Sequence, residues 1–195
     1  MSVAGIVPRW EWRTFGESFG EAEGVLTRGE AERVQESDEL YLLSQKSDAS
    51  VKVREGLLDV KRLEAVDGGG LEQWRPVLKG PFPLDAADLE IMLDALGASA
   101  QKLARETYTL EQLVDEVVGA DPALTAVAVH KRRVHYRLGG CMVELSEVAA
   151  ERRSTRTIAV EAEDPELVTA TVRELQLAGR PNVCLARGLK TMLGL

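Results

Sequence analysis

Polar and apolar positions alternate with a period of two over most of this chain, and change to a helical period in a few short stretches. Arg9 to Phe15 sets Trp10, Trp12 and Thr14 on one face and Arg9, Glu11 and Arg13 on the other. Glu39 to Gln45, Ser50 to Glu55, Leu58 to Ala65 and Leu71 to Leu78 predict four more strands. A tight turn is expected at Gly56 and a loop tip at Gly68-Gly69-Gly70, with Pro81 and Pro83 ending the run. Ala123 to Leu138 and Cys141 to Ala149 form a hairpin through Gly139-Gly140, and Arg156 to Glu163 is the last alternating strand.

Helical spacing is clear in two places. Asp85 stands as a cap before Leu89, Met92, Leu93 and Leu96, with Gly97 as the stop. Asp164-Pro165-Glu166 opens a second helix carrying Leu167, Val168, Val172, Leu175 and Leu177, ending near Gly179. A short final helix is expected from Val183 to Leu193. Residues Glu21 to Gln35, broken by Gly24 and Gly29, read as a loop and a short helix. Tyr108 to Val118 fits a helix through Leu110, Leu113, Val114 and Val117, although strand residues flank it. The pattern is a strand-dominated α+β fold, read as one domain over 1–195.

Composition narrows the picture. With 195 residues, 45% of them hydrophobic, the chain can bury a core without metal or disulfide staples. Cys141 and Cys184 have no Cys or His at ligand spacing and read as free core thiols in a reducing compartment. The N-terminus lacks a signal-peptide pattern, and no run approaches the roughly 20 apolar residues of a membrane span. A soluble, cytoplasmic protein is expected. The net charge of −8 argues against binding nucleic acid or an anionic membrane. A homodimer is an admissible assembly.

Against that acidic background the placement of the basic residues is informative. Lys52 and Arg54 share a strand face, as do Asp59 and Lys61, and Lys131, Arg133, His135 and Arg137. Glu161 and Glu163 form a matching acidic pair. Any one such pair most simply faces solvent. The opposite positions (Val51 and Val53, Leu58 and Val60, Val134 and Tyr136, Ile158 and Val160) are apolar enough to pack under helices. The charged faces are then left to solvent or to a lumen, and the pattern does not choose between them. A polyanion such as a triphosphate is the ligand this mixture suits, because its oxygens take several Lys and Arg donors and share their charge with carboxylate-bound Mg²⁺ or Mn²⁺.

The order of these segments resembles the CYTH family, the triphosphate tunnel metalloenzymes. The family's opening Glu-x-Glu-x-Lys strand is matched by Arg9-Trp10-Glu11-Trp12-Arg13, and its Lys-x-Arg strand by Lys52-Val53-Arg54. Lys61 stands for the tunnel lysine, Lys131 to Tyr136 for the Lys-x-Arg-x-x-Tyr strand, Glu144 for the acidic return and Glu161-Ala162-Glu163 for the Glu-x-Glu strand. The C-terminal segment resembles the family's last helix, with Lys190 or Arg187 as its basic residue. The resemblance implies an antiparallel eight-stranded β-barrel, a tunnel with flanking helices. It implies hydrolysis of inorganic triphosphate or of a small organic triphosphate, with non-catalytic polyphosphate or nucleotide binding as the alternative and adenylate cyclase activity behind both. It further implies phosphate ligands Arg13, Lys52, Arg54, Lys61, Lys131, Arg133 and Lys190, and metal ligands Glu11, Glu144, Glu161 and Glu163. Of these carboxylates, Glu11, Glu161 and Glu163 are the catalytic candidates. Arg9 replaces the first motif glutamate, which removes a carboxylate from the expected metal side. His130 and His135 read as polar packing, with a phosphate contact open to His135. Trp10, Trp12 and Trp74 read as core or rim packing.

Overall fold

The computed structural model describes residues 6–98 and 103–195. Eight antiparallel strands close into a barrel. They are β1 (Arg9–Gly16), β2 (Arg33–Ser44), β3 (Ser50–Arg54), β4 (Leu57–Val66), β5 (Glu72–Pro81), β8 (Leu124–Leu138), β9 (Cys141–Ala150) and β10 (Arg153–Ala162). Around the barrel the order is β1-β10-β9-β8-β2-β3-β4-β5, with β5 returning to β1 through Arg9↔Trp74 and Glu11↔Glu72. Closure removes the unpaired edges that an open sheet would present. A two-stranded ribbon, β6 (Leu84–Asp85) with β7 (Thr107–Tyr108), lies outside it.

Among the described residues five helices accompany the strands: α1 (Glu21–Arg28), α2 (Ala86–Ala95), α3 (Leu110–Gln112, continued by a π-helical turn to Val118), α4 (Pro165–Glu174) and α5 (Leu185–Leu193). Asp85 caps α2 by accepting from the Asp88 amide, and Asp164 caps α4 by accepting from Glu166. Within the stretch 108–118, Tyr108 belongs to β7 and residues 110–118 are helical, opened by a capping box between Thr109 and Gln112.

The outward apolar positions pack under these helices. Val51, Val53, Leu58 and Val60 meet Leu89, Met92, Leu93, Leu113 and Val117. Trp12, Tyr136, Val143, Ile158 and Val160 meet Phe19, Leu26, Val168 and Val172. A third cluster lies within one end of the barrel, where Tyr41, Leu43, Val127, Val129, Val148 and Ala150 receive Leu185, Ala186 and Leu189 of α5. Gly188 permits this approach, because a Cβ there would fall 2.0 Å from Phe15 Cζ. The charged layer lies beyond this apolar plug.

Two expectations need correction. Strand β2 begins at Arg33, inside the stretch read as loop and short helix, and pairs with β8 continuously from Arg33↔His135 to Ser44↔Leu124. Its first half is polar on both faces because one borders the lumen and the other solvent, so no alternation betrays it. Helix α4 ends at Glu174 rather than near Gly179; Leu175 and Leu177 stay buried after Gln176 takes a positive φ of 57°. Cys141 and Cys184 are free and buried. Among the described residues no helix is long and apolar enough to cross a membrane.

Candidate functional site

Closure of the barrel decides what the alternating charges face. A cavity of about 220 Å³ is lined by Arg13, Lys52, Arg54, Lys61, Lys131 and Arg133, together with Glu11, Glu144 and Glu161. Strand register brings them together: Glu11 sits directly across from Glu161, Lys52 across from Asp59, and His135 across from Glu144. Arg13, Lys131 and Arg133 are each less than 5% exposed. Cations buried to this degree require compensation nearby.

Two carboxylates provide much of it. Glu39 receives the guanidinium of Arg133 and hydrogen bonds from Tyr41 (2.9 Å) and Ser37 (3.2 Å), with Lys52 Nζ at 3.6 Å and Arg54 Nη1 at 3.7 Å. Burial pushes its carboxyl up, but Lys52, Lys131 and Arg133 outweigh that and hold it at about 2. Glu144 accepts from Ser146 (2.7 Å) and stands 3.4 Å from Arg13 Nη1, 3.8 Å from Arg133 Nε and 3.9 Å from Lys131 Nζ. Burial opposes its ionisation, and Lys131 with Arg13 overcomes the opposition, so its carboxyl lies far below the usual range.

The facing pair Glu11 and Glu161 is arranged differently. Glu11 accepts from Arg13 Nε at 2.8 Å; burial raises its carboxyl, and Arg13 and Lys61 reverse that to a net lowering. Glu161 takes no hydrogen bond or close ion pair among the described residues. Its carboxyl is raised, first by burial and then by Glu11. Lys61 serves both: burial lowers its ammonium, and Glu161 and Glu11 raise it above the ordinary value. Arg13 also donates to Thr157 at 2.7 Å, so its guanidinium is engaged by Glu11, Glu144 and Thr157 together.

Burial dominates at three further groups. It pulls the Lys131 ammonium down to about 7, with help from Arg13 and Arg133 and against Glu144. It lowers Lys52 despite the nearby Glu39. It also lowers His135, whose Nε2 is buried with no hydrogen-bond partner.

Several sequence-derived candidates are not gathered here. Glu163 lies one residue beyond β10 and is exposed, so its side chain does not join Glu161 in the cavity. Lys190 holds α5 in place instead: its ammonium pairs with Asp48 at 2.6 Å and donates to the Ser44 and Ser47 carbonyls. Arg187 likewise bridges Asp48 and Glu72. Arg137 is exposed and pairs with Glu32, past the end of the lumen. His130 pairs with Asp38 on the outside. Trp12 is core, and Trp74 is 5% exposed on the lumen side. Glu39 is the residue that sequence reasoning passed over; its one signal is that it shares a strand face with Tyr41 and Leu43 in an otherwise apolar run.

The donor chemistry suits a hard divalent cation in part. No group of three or more His, Cys, Asp or Glu able to hold a metal ion occurs among the described residues. Glu144 is committed to its cations, which leaves Glu11 and Glu161 as an oxygen pair in which Glu161 has Lys61 and Arg13 only at longer range, with no close ion pair among the described residues. Two carboxylates are enough for Mg²⁺, which usually keeps water and phosphate oxygens as its remaining ligands.

No protein-family model and no curated protein sequence matches the chain. Solved structures do. The Hippeastrum protein HpAC1, in which triphosphatase activity is dominant, superposes with a TM-score of 0.52 at 15% identity, covering 95% of each chain. A conserved hypothetical protein from Pyrococcus furiosus gives a TM-score of 0.52 at 15% identity, over 92% of this chain and 97% of that one. At such identity the likeness is one of fold: a closed eight-stranded antiparallel barrel, here around a charged lumen, which is the architecture that the resemblance to the CYTH family implies.

Proposed function

We propose that this chain binds a triphosphate, inorganic or carried by a small organic group, in its lumen and hydrolyses the terminal anhydride bond with Mg²⁺ or Mn²⁺. The observation that carries this reading is the convergence of six basic side chains and the Glu11–Glu161 pair on one cavity. The dominant triphosphatase activity of the Hippeastrum protein supports hydrolysis over cyclisation.

Lys52, Arg54, Lys61, Lys131 and Arg133 contact phosphate oxygens, Arg54 and Arg133 with planar forks suited to paired oxygens. The orphaned ring nitrogen of His135 offers one more polar contact. Arg13, whose Nε and Nη1 already bond Glu11, Glu144 and Thr157, positions Glu11 and Glu144. Glu11 and Glu161 would hold the cation, which when bound would supply charge neutralisation at the phosphate oxygens. Without metal the two carboxyls differ: Arg13 and Lys61 hold Glu11 ionised against burial, whereas burial and Glu11 raise Glu161, so a cation between them would relieve the unfavourable charge on Glu161. Catalysis on this scheme is mainly positioning and charge stabilisation.

Purified protein with Mg²⁺ or Mn²⁺ should release phosphate from inorganic triphosphate, and Glu161→Gln should abolish release while leaving metal-free binding intact. Absence of release across metals and triphosphates would sink the hydrolytic step. Of Glu11, Glu144 and Glu161 only Glu161 is without a hydrogen bond or close ion pair among the described residues, which favours a second reading, a non-catalytic polyphosphate or nucleotide binder. That reading requires metal-independent affinity, falling with salt and lost in Arg54→Ala, with no turnover.

A further inference from the structure

The phosphate cavity adjoins a second cavity at the Arg9 end of β1. The two share Glu11, Lys61, Trp74 and Glu161, but the rest of the second lining is of another kind: Ile6, Val7, Arg9, Pro76 and Met142. Ile6 and Val7 are 48% and 53% exposed, which leaves apolar surface open beside the lumen. Arg9 makes no ion pair among the described residues; its Nη1 donates to Met142 Sδ at 3.4 Å. A cation resting on an apolar wall can stack its guanidinium plane over a flat ring; with Glu11 and Glu161 of the same lining engaged by Lys61 and by the cation of the phosphate site, the charge left at the rim is that of Arg9, which repels a second positive one.

Phosphate alone has no use for such a wall. We propose that this mouth is a subsite for the non-phosphate end of an organic triphosphate, selecting a neutral planar group over a cationic one. The proposal rests on the lumen binding phosphate as described above. Arg9, which occupies the place of a carboxylate in the family motif, is then a specificity residue at the mouth.

The test compares inorganic triphosphate, ATP (neutral base) and thiamine triphosphate (cationic group) by titration calorimetry and by phosphate release. The proteins are wild type, Arg9→Ala and Met142→Ala. Wild type should favour ATP over thiamine triphosphate by about tenfold or more, and each variant should weaken ATP by about tenfold, the scale of one stacking or apolar contact. Inorganic triphosphate should lose less than ATP in Arg9→Ala, because Arg9 gives it only a screened charge, and should be unchanged within about threefold in Met142→Ala. Arg9 is exposed, so its variant should fold like wild type. If inorganic triphosphate binds but both variants leave ATP unaffected, or weaken all three ligands equally, the subsite is overturned and the lumen reading stands. Equal or better binding of thiamine triphosphate overturns the charge selection. If inorganic triphosphate itself does not bind, the lumen reading has failed.

Discussion

Glu39→Gln isolates the role of the carboxylate that holds the lumen together without ligand. Its side chain is fully buried, and three cations, Lys52, Arg54 and Arg133, converge on it. Burial raises its carboxyl, yet the surrounding cations hold it at about 2 against an ordinary 4.5, which corresponds to about 3 kcal/mol of favourable interaction at neutral pH. Glutamine keeps the shape and removes the charge. For a chain of this size that loss should lower the melting temperature by about 6–12 °C. The sign with pH follows from the lowered value: the stabilisation is fully present above about 4.5 and is lost as pH falls towards 2, so the gap between variant and wild type should close over that interval. Without their internal counter-ion, Arg133, Lys52 and Arg54 should also bind an external anion more tightly. Saturating inorganic triphosphate without metal should therefore raise the melting temperature more in Glu39→Gln than in wild type. Thermal melts at pH 2 to 7, with and without the ligand, measure both effects. An unchanged melting temperature, or a smaller ligand shift in the variant, would refute the counter-ion argument.

Three further outcomes are expected. Burial brings Lys131 to about 7, so it loses its charge as pH rises through that value; metal-free affinity for triphosphate should fall between about pH 6 and 8, and Lys131→Met should flatten that dependence in calorimetric titrations. Gly188→Ala puts a Cβ into the Phe15 ring and should destabilise by about 1–3 kcal/mol in urea unfolding, because the α5 plug cannot be overpacked freely. Lys190→Ala should lower stability with triphosphate affinity unchanged, since its ammonium is spent on Asp48 and two carbonyls; a loss of affinity would return Lys190 to the phosphate site.

The strand sequence could be read directly wherever one face was apolar and the other charged. Val51 and Val53 beside Lys52 and Arg54, or Trp10 and Trp12 beside Glu11 and Arg13, announce a half-buried strand because side chains alternate with period two. The caps at Asp85 and Asp164 were equally local, since each side chain satisfies an amide two or three residues on. Where both faces were polar, as in Arg33 to Asp38, the pattern carried no signal and β2 was cut short. The order of motifs pointed to the tunnel fold.

What the sequence could not decide was which charges meet. Closure brought Glu11 of β1 against Glu161 of β10 and gathered Lys61 of β4 with Lys131 and Arg133 of β8; no local spacing encodes those distances. It also left Glu163 outside, because β10 ends one residue earlier, and turned Lys190 from a ligand candidate into an anchor for α5. Glu39 stayed hidden because a single acid in an apolar strand looks like an edge until three cations from β3 and β8 close around it. Sequence determined the faces through local sterics and periodicity; tertiary structure alone decided the partners, because burial and charge compensation are properties of the closed barrel.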